Sequence, residues 1–149
     1  MKNRRVAGLV VLAATVVFAL APLYRSGDVT VPVHHLLHAI MLFGAALAAL
    51  LLTASPKPPL HGSTWWLVLA VIAPLLAMLL MWPSEYSVFD RSPLLHTSEH
   101  MGLVVLGFVT AFAGCRYAPG IGAVASASLV LMALLAIGGY GISPPPTVR

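Results

Sequence analysis

Charge is what this chain lacks. Eight Lys and Arg and four Asp and Glu among 149 residues are too few to cover the surface of a soluble domain of this size. Cysteine is nearly missing as well. Cys115 stands alone, which excludes an internal disulfide and any CxxC metal clip. Long polar segments are also lacking, so the loops leave little room for a soluble catalytic domain. What is present is apolar: 60% of the residues are hydrophobic, and the mean hydropathy is strongly positive. The class is an integral membrane protein. In a soluble chain a net charge of +4 would point to nucleic acid. Here the basic residues lie at the ends of apolar runs and read as topology signals, so membrane lipid is expected as a partner and nucleic acid is not.

The apolar runs and their breaks predict an all-α, polytopic membrane bundle. It is one transmembrane domain (1–149) of five spans, at about 6–23, 33–53, 64–82, 93–115 and 119–142. Ala19-Leu20-Ala21 resembles a signal-cleavage site, but Pro22 directly after it is unfavourable for cutting, so the first run is read as an uncleaved span. Trp65, Trp66 and Trp82 flank the third span, where indole rings favour the membrane interface, and Pro74 is expected to kink it. An inner N-terminus puts Lys2, Arg4, Arg5, Lys57 and Arg116 inside and Arg25, Arg91 and Arg149 outside. This bias predicts a plasma-membrane protein with a cytoplasmic N-terminus.

One pattern occurs twice. Tyr24-x3-Asp28-x5-His34-x3-His38 is repeated as Tyr86-x3-Asp90-x5-His96-x3-His100, at an ungapped offset of 62 residues. The same offset lays the third span over the first, which predicts an internal two-helix repeat plus a fifth helix. Spans two and four then run in the same direction, with both histidine pairs towards the outer face. An i, i+4 spacing puts two histidines on one helix face, roughly 6 Å apart at Cβ, close enough to grip one ion. Ionisable groups inside a membrane are costly and usually face a bundle interior. The candidate metal ligands are therefore His34, His38, His96 and His100, joined by His35 and Glu99 within the same segments. Asp28, Asp90, Tyr24 and Tyr86 are candidates to stand behind the ligands and accept the ring N–H that is not on the metal. A structural reading competes, in which the Tyr and Asp residues merely cap helices. Asp28, four residues before Pro32, is badly placed for that. His61 reads as a loop histidine.

Imidazole suits copper, zinc, iron and haem iron. Copper, or another transition-metal ion, is the leading occupant of the site. A b-type haem is the alternative, held by His34 with His96 or by His38 with His100. Small residues Ala39, Gly44, Gly102 and Gly107 would leave room for its macrocycle. A di-metal centre like that of membrane desaturases would need more histidines and longer cytosolic segments. His96-Thr97-Ser98-Glu99-His100 also matches the HxxEH zinc-peptidase pattern, outside its soluble fold.

With its HxxxH pairs on apolar helices, the chain resembles the CtaG-type cytochrome c oxidase assembly proteins over spans two and four. The resemblance implies copper handling by His34, His38, His96 and His100. It also implies partners among the membrane subunits of a respiratory or oxidase complex. This chain is short by comparison, with five spans. The expected function is a metal-holding membrane protein that serves assembly or electron transfer. Its alternatives are a haem b electron-transfer subunit and a structural accessory subunit. No residue is assigned a catalytic role.

Overall fold

A computed structural model of the protein describes residues 2–21, 31–53, 63–82, 88–89, 92–118 and 120–140. Five helices are built from them: α1 (Lys2–Leu20), α2 (Val31–Thr53), α3 (Thr64–Leu80), α4 (Pro93–Tyr117) and α5 (Ile121–Tyr140). No strand occurs among the described residues. The all-helical expectation holds, and α2, α3 and α4 begin within two residues of the expected positions. The first helix starts earlier than expected and takes Lys2, Arg4 and Arg5 into its first turn.

Among the described residues the expectation of five spans is met in part. Three helices are long and apolar enough to cross a membrane: α1, α4 and α2 from Val33 onward. The helix α3 is apolar but only 17 residues long, and it ends where Met81 and Trp82 turn out of the helix ahead of Pro83. The apolar part of α5 with described side chains runs only from Ile121 to Leu135. Pro74 lies inside α3, where it removes one helical hydrogen bond.

Two serines start helices as their chemistry dictates. The Ser92 hydroxyl accepts from the Leu95 N–H at 3.2 Å, and Pro93 follows in the first helical turn, where its missing N–H is harmless. The Ser63 hydroxyl accepts from the Trp65 N–H at 3.4 Å at the start of α3.

The bundle is organised by the contact between α2 and α4, the most extensive of any helix pair. Along α2 the buried line runs His38, Met41, Ala45, Ala48; along α4 it runs His100, Leu103, Gly107, Thr110, Gly114. These 3–4 steps form the stripe of a closely packed helix pair. The helices run parallel, since the His34 and His96 rings meet near one end and Ala46 and Ala49 meet Ala111 further along. Their backbones come close at Gly107, where an added Cβ would lie 2.9 Å from the Leu42 carbonyl oxygen.

The repeat extends well beyond its four motif residues. At the offset of 62, buried Gly8, Thr15 and Ala19 of α1 correspond to buried Ala70, Ala77 and Met81. Buried His38, Met41, Leu42, Ala45, Ala48 and Ala49 of α2 correspond to buried His100, Leu103, Val104, Gly107, Thr110 and Ala111 of α4. Two antiparallel hairpins, α1–α2 and α3–α4, thus present equivalent faces to one another. The helix α5 breaks the equivalence. It packs on α2 and α4 and more lightly on α3. It reaches that place through a turn so tight that a Cβ on Gly114 would sit 2.6 Å from the Gly122 Cα.

Apolar clusters flank the central pair. Ala39, Leu42, Leu103, Ala77, Met81, Leu129 and Ala133 join α2 and α4 to α3 and α5. Ala19, Met41, Ala45 and Val104 join them to α1. Large apolar side chains also cover the exterior of every helix, for example Val17, Phe43, Leu79, Val105 and Leu135. A soluble monomer would not expose so much.

Close packing at Gly107 gives a direct test. Gly107→Val drives side-chain atoms into the α2 backbone and is expected to destabilise the bundle by about 1–3 kcal/mol or more. It should lower the thermal unfolding midpoint in detergent. Gly102→Ala, whose Cβ meets only the flexible end of Leu80 at 3.1 Å, should unfold close to wild type.

Candidate metal centre

The histidines are the first rungs of the α2–α4 stripe. His34 and His38 lead into Met41 and Ala45; His96 and His100 lead into Leu103 and Gly107. Whatever brings the apolar rungs together therefore brings the imidazoles together. Within each helix the paired rings stand 4.3 Å apart between centroids, at 68° in α2 and 65° in α4. Between helices, His34–His96 and His38–His100 are both 5.2 Å, and His34–His100 is 5.7 Å. The equal distances show that the repeat is kept at the level of the rings.

Burial deepens by one turn. His34 and His96 are half-buried, whereas His38 and His100 are 0% and 1% exposed. The Nε2 atoms of all four are buried, as are both carboxylate oxygens of Glu99. Glu99 is buried, while its exposed-side neighbours bond back to their own helix: the Thr97 hydroxyl donates to the Pro93 carbonyl at 2.8 Å and the Ser98 hydroxyl to the Leu95 carbonyl at 2.7 Å. That leaves His96, Glu99 and His100, at i, i+3 and i+4, on the interior face of α4. Glu99 Oε1 stands 3.9 Å from His38 Nε2, beyond hydrogen-bond reach for that pair. The floor below is apolar and buried: Met41, Leu42 and Leu103 are 0% exposed.

Two groups of donors converge. His34, His38 and His100 form one and His34, His96 and Glu99 the other, each with its ligand atoms within 4.8 Å of one another. With metal–nitrogen bonds of about 2.0–2.1 Å, ring centroids in a tetrahedral imidazole site lie about 5 Å apart. The observed 4.3–5.7 Å bracket that value. Two imidazoles on opposite sides of a haem iron would stand about 6 Å apart by the same bond length, with the macrocycle between them.

All six expected ligands lie in this cluster. His35 is 1% exposed, but it falls in neither converging group. Its ring stands 6.0 Å from His38 and 6.4 Å from His34. Tyr24, Asp28, Tyr86 and Asp90, expected behind the ligands, lie outside the described residues, as does His61. The small residues expected to make room for a macrocycle are occupied by neighbours. A Cβ on Gly107 would meet the Leu42 backbone, one on Gly44 the Thr15 hydroxyl, and one on Gly102 the Leu80 side chain. Ala39 is buried against Leu42, Ala77 and Leu103.

The contact between spans two and four had a signal in the sequence. The histidine stripe continues through Ala45 and Ala48 on one helix and Gly107 and Thr110 on the other. Small residues at helical spacing beneath polar ones mark a close helix–helix seam. No family model, curated protein or solved structure matches the chain.

Glu99 offers a test of purpose. Its equivalent across the repeat is Leu37, so Glu99→Leu restores the symmetric residue. Burying a carboxyl costs free energy that an apolar side chain of similar volume does not. Chelator-washed Glu99→Leu protein should therefore unfold at the same temperature as wild type or higher. A marked fall in the midpoint would mean that the carboxylate serves the fold.

Proposed function

We propose that this protein holds a transition-metal ion, copper by preference, among His34, His38, His96, His100 and Glu99. The observation that carries the reading is the convergence of four imidazoles and one carboxylate into two three-donor groups that share His34, above an apolar floor. Imidazole donors suit copper, zinc, nickel and iron, and among divalent ions copper binds such sets most tightly. The likeness of spans two and four to CtaG-type assembly proteins adds weight to copper. It also supports a role in the assembly or electron transfer of a respiratory or oxidase complex, with membrane subunits of that complex as partners. Haem b is the weaker reading, because the ring spacing is short for it and the small residues are already packed.

The membrane setting is taken to be the plasma membrane, with all five helices spanning it. At 1.5 Å per residue the 17 residues of α3 reach about 26 Å, near the thickness of a thin hydrocarbon layer. Exposed Trp65 and Trp82 mark its two ends. Lys2, Arg4 and Arg5 begin α1, and Arg116 ends α4 with its guanidinium 6.0 Å from the Trp66 ring centre. These basic residues lie at the end of the bundle away from the histidines. This distribution supports a cytoplasmic N-terminus and a metal site towards the outer face.

The test is a visible spectrum together with elemental analysis of protein purified in mild detergent. Near-stoichiometric copper, or another transition metal, without a Soret band is the expected result. His34→Ala, His38→Ala, His96→Ala and His100→Ala should each lower the metal content. A Soret band that shifts on reduction, lost with one histidine from each helix and indifferent to the other pair, would replace the ion with haem. Neither cofactor, in a preparation that keeps its native partners, would leave the repeat as architecture.

A further inference from the structure

The two converging groups differ in depth and in chemistry, and they share one residue. Half-buried His34 and His96 join Glu99 in the tier nearer the helix starts. Buried His38 and His100 join the same His34 one turn deeper. The Glu99 carboxylate joins His34 and His96, and its Oε1 also stands 3.9 Å from His38 Nε2, so it borders the deeper group. A strict repeat would make the two halves equivalent. Leu37 stands where a second Glu99 would be, so only one mixed carboxylate–imidazole group exists among the described residues.

Resting on the metal-site reading above, we propose that the cluster is a two-position transfer site for one borderline divalent transition-metal ion, with His34 as its pivot. The ion is first taken by His34, His96 and Glu99. The two less buried histidines lie there, and a carboxylate attracts a cation into apolar surroundings. It then passes to His34, His38 and His100 by exchanging two ligands while His34 stays bound. No bond other than metal–ligand bonds changes, and neither the oxidation state nor the number of ions changes. Because both groups use His34 and their ligand atoms lie so close together, one ion occupies the cluster at a time. The deeper group is all imidazole, enclosed by Met41, Leu42 and Leu103, and releases its ion slowly. Shallow capture followed by deep holding is what a protein that hands on a metal ion requires.

Cobalt(II), whose ligand-field spectrum reports its donor set, is the probe, added to the full-length protein in detergent after chelator washing. Wild type should show two successive spectral phases on loading, at a stoichiometry of one ion per chain. His38→Gln and His100→Gln should stop at the first spectrum and lose the ion to a chelator faster. Glu99→Gln and His96→Gln should reach the second spectrum but load more slowly. Removing even a residue behind a metal ligand typically costs about 10–100-fold in affinity, so changes of about tenfold or more are expected in these rates. His34→Gln should lose both spectra. One loading phase in wild type, or the same spectrum and the same loss of affinity in all four variants, overturns the two-position site and leaves a single four-histidine site standing. Wild type that binds no cobalt or copper at all removes the metal reading itself. The two phases in wild type need no substitution, so a variant that fails to fold does not remove the test.

Discussion

The packing of α2 against α4 is the constraint on which everything else depends. Their shared stripe is apolar for most of its length and polar only at its first two rungs. Close approach is enforced lower down, where Gly107 admits the Leu42 backbone and Ala45 and Ala49 offer no bulk. The imidazoles must follow. Polar groups held in apolar surroundings are expensive unless their partners are near. Here five of them face one another, and the apolar rungs beneath supply the free energy that keeps them in place. The arrangement is the reverse of a core built for stability alone, in which leucines would continue the stripe to the helix starts.

Duplication explains the geometry, and its breaks explain the chemistry. Paired ring distances of 4.3 Å within helices and 5.2 Å between them follow from two hairpins presenting the same face. A perfectly symmetric cluster would offer four equivalent imidazoles and no preferred route through them. Glu99 opposite Leu37 and His35 opposite Thr97 remove the equivalence. The helix α5 removes it again on a larger scale by filling the groove beside α2 and α4 towards α3, with no counterpart towards α1 among the described residues. A carboxylate at the shallow tier and imidazoles below give the site a direction.

The use of small residues bears on what the site could hold. A macrocycle needs a slot between helices, and Ala39, Gly44, Gly102 and Gly107 had looked like places to make one. Each instead receives a neighbouring side chain or backbone segment. The donor spacings at the histidine tiers suit an ion. An ion can be gripped and released by side chains alone, without moving helices, and that fits a bundle whose central contact is so tightly closed.

The sequence by itself determined the class, the helices, the repeat and the six candidate ligands. Those depend on composition, on periodicity and on local chemistry such as the Ser92–Pro93 helix start. The number of helices long enough to span a membrane was not settled there, because the end of α3 depends on where the chain turns. Only the tertiary structure decided that α2 and α4 touch, which histidines face which, and that Glu99 joins a group of converging donors while His35 falls outside both. Spacing along a helix fixes a direction around its axis. Only the neighbouring helix, set in register by Gly107 and the rungs around it, decides what that direction meets.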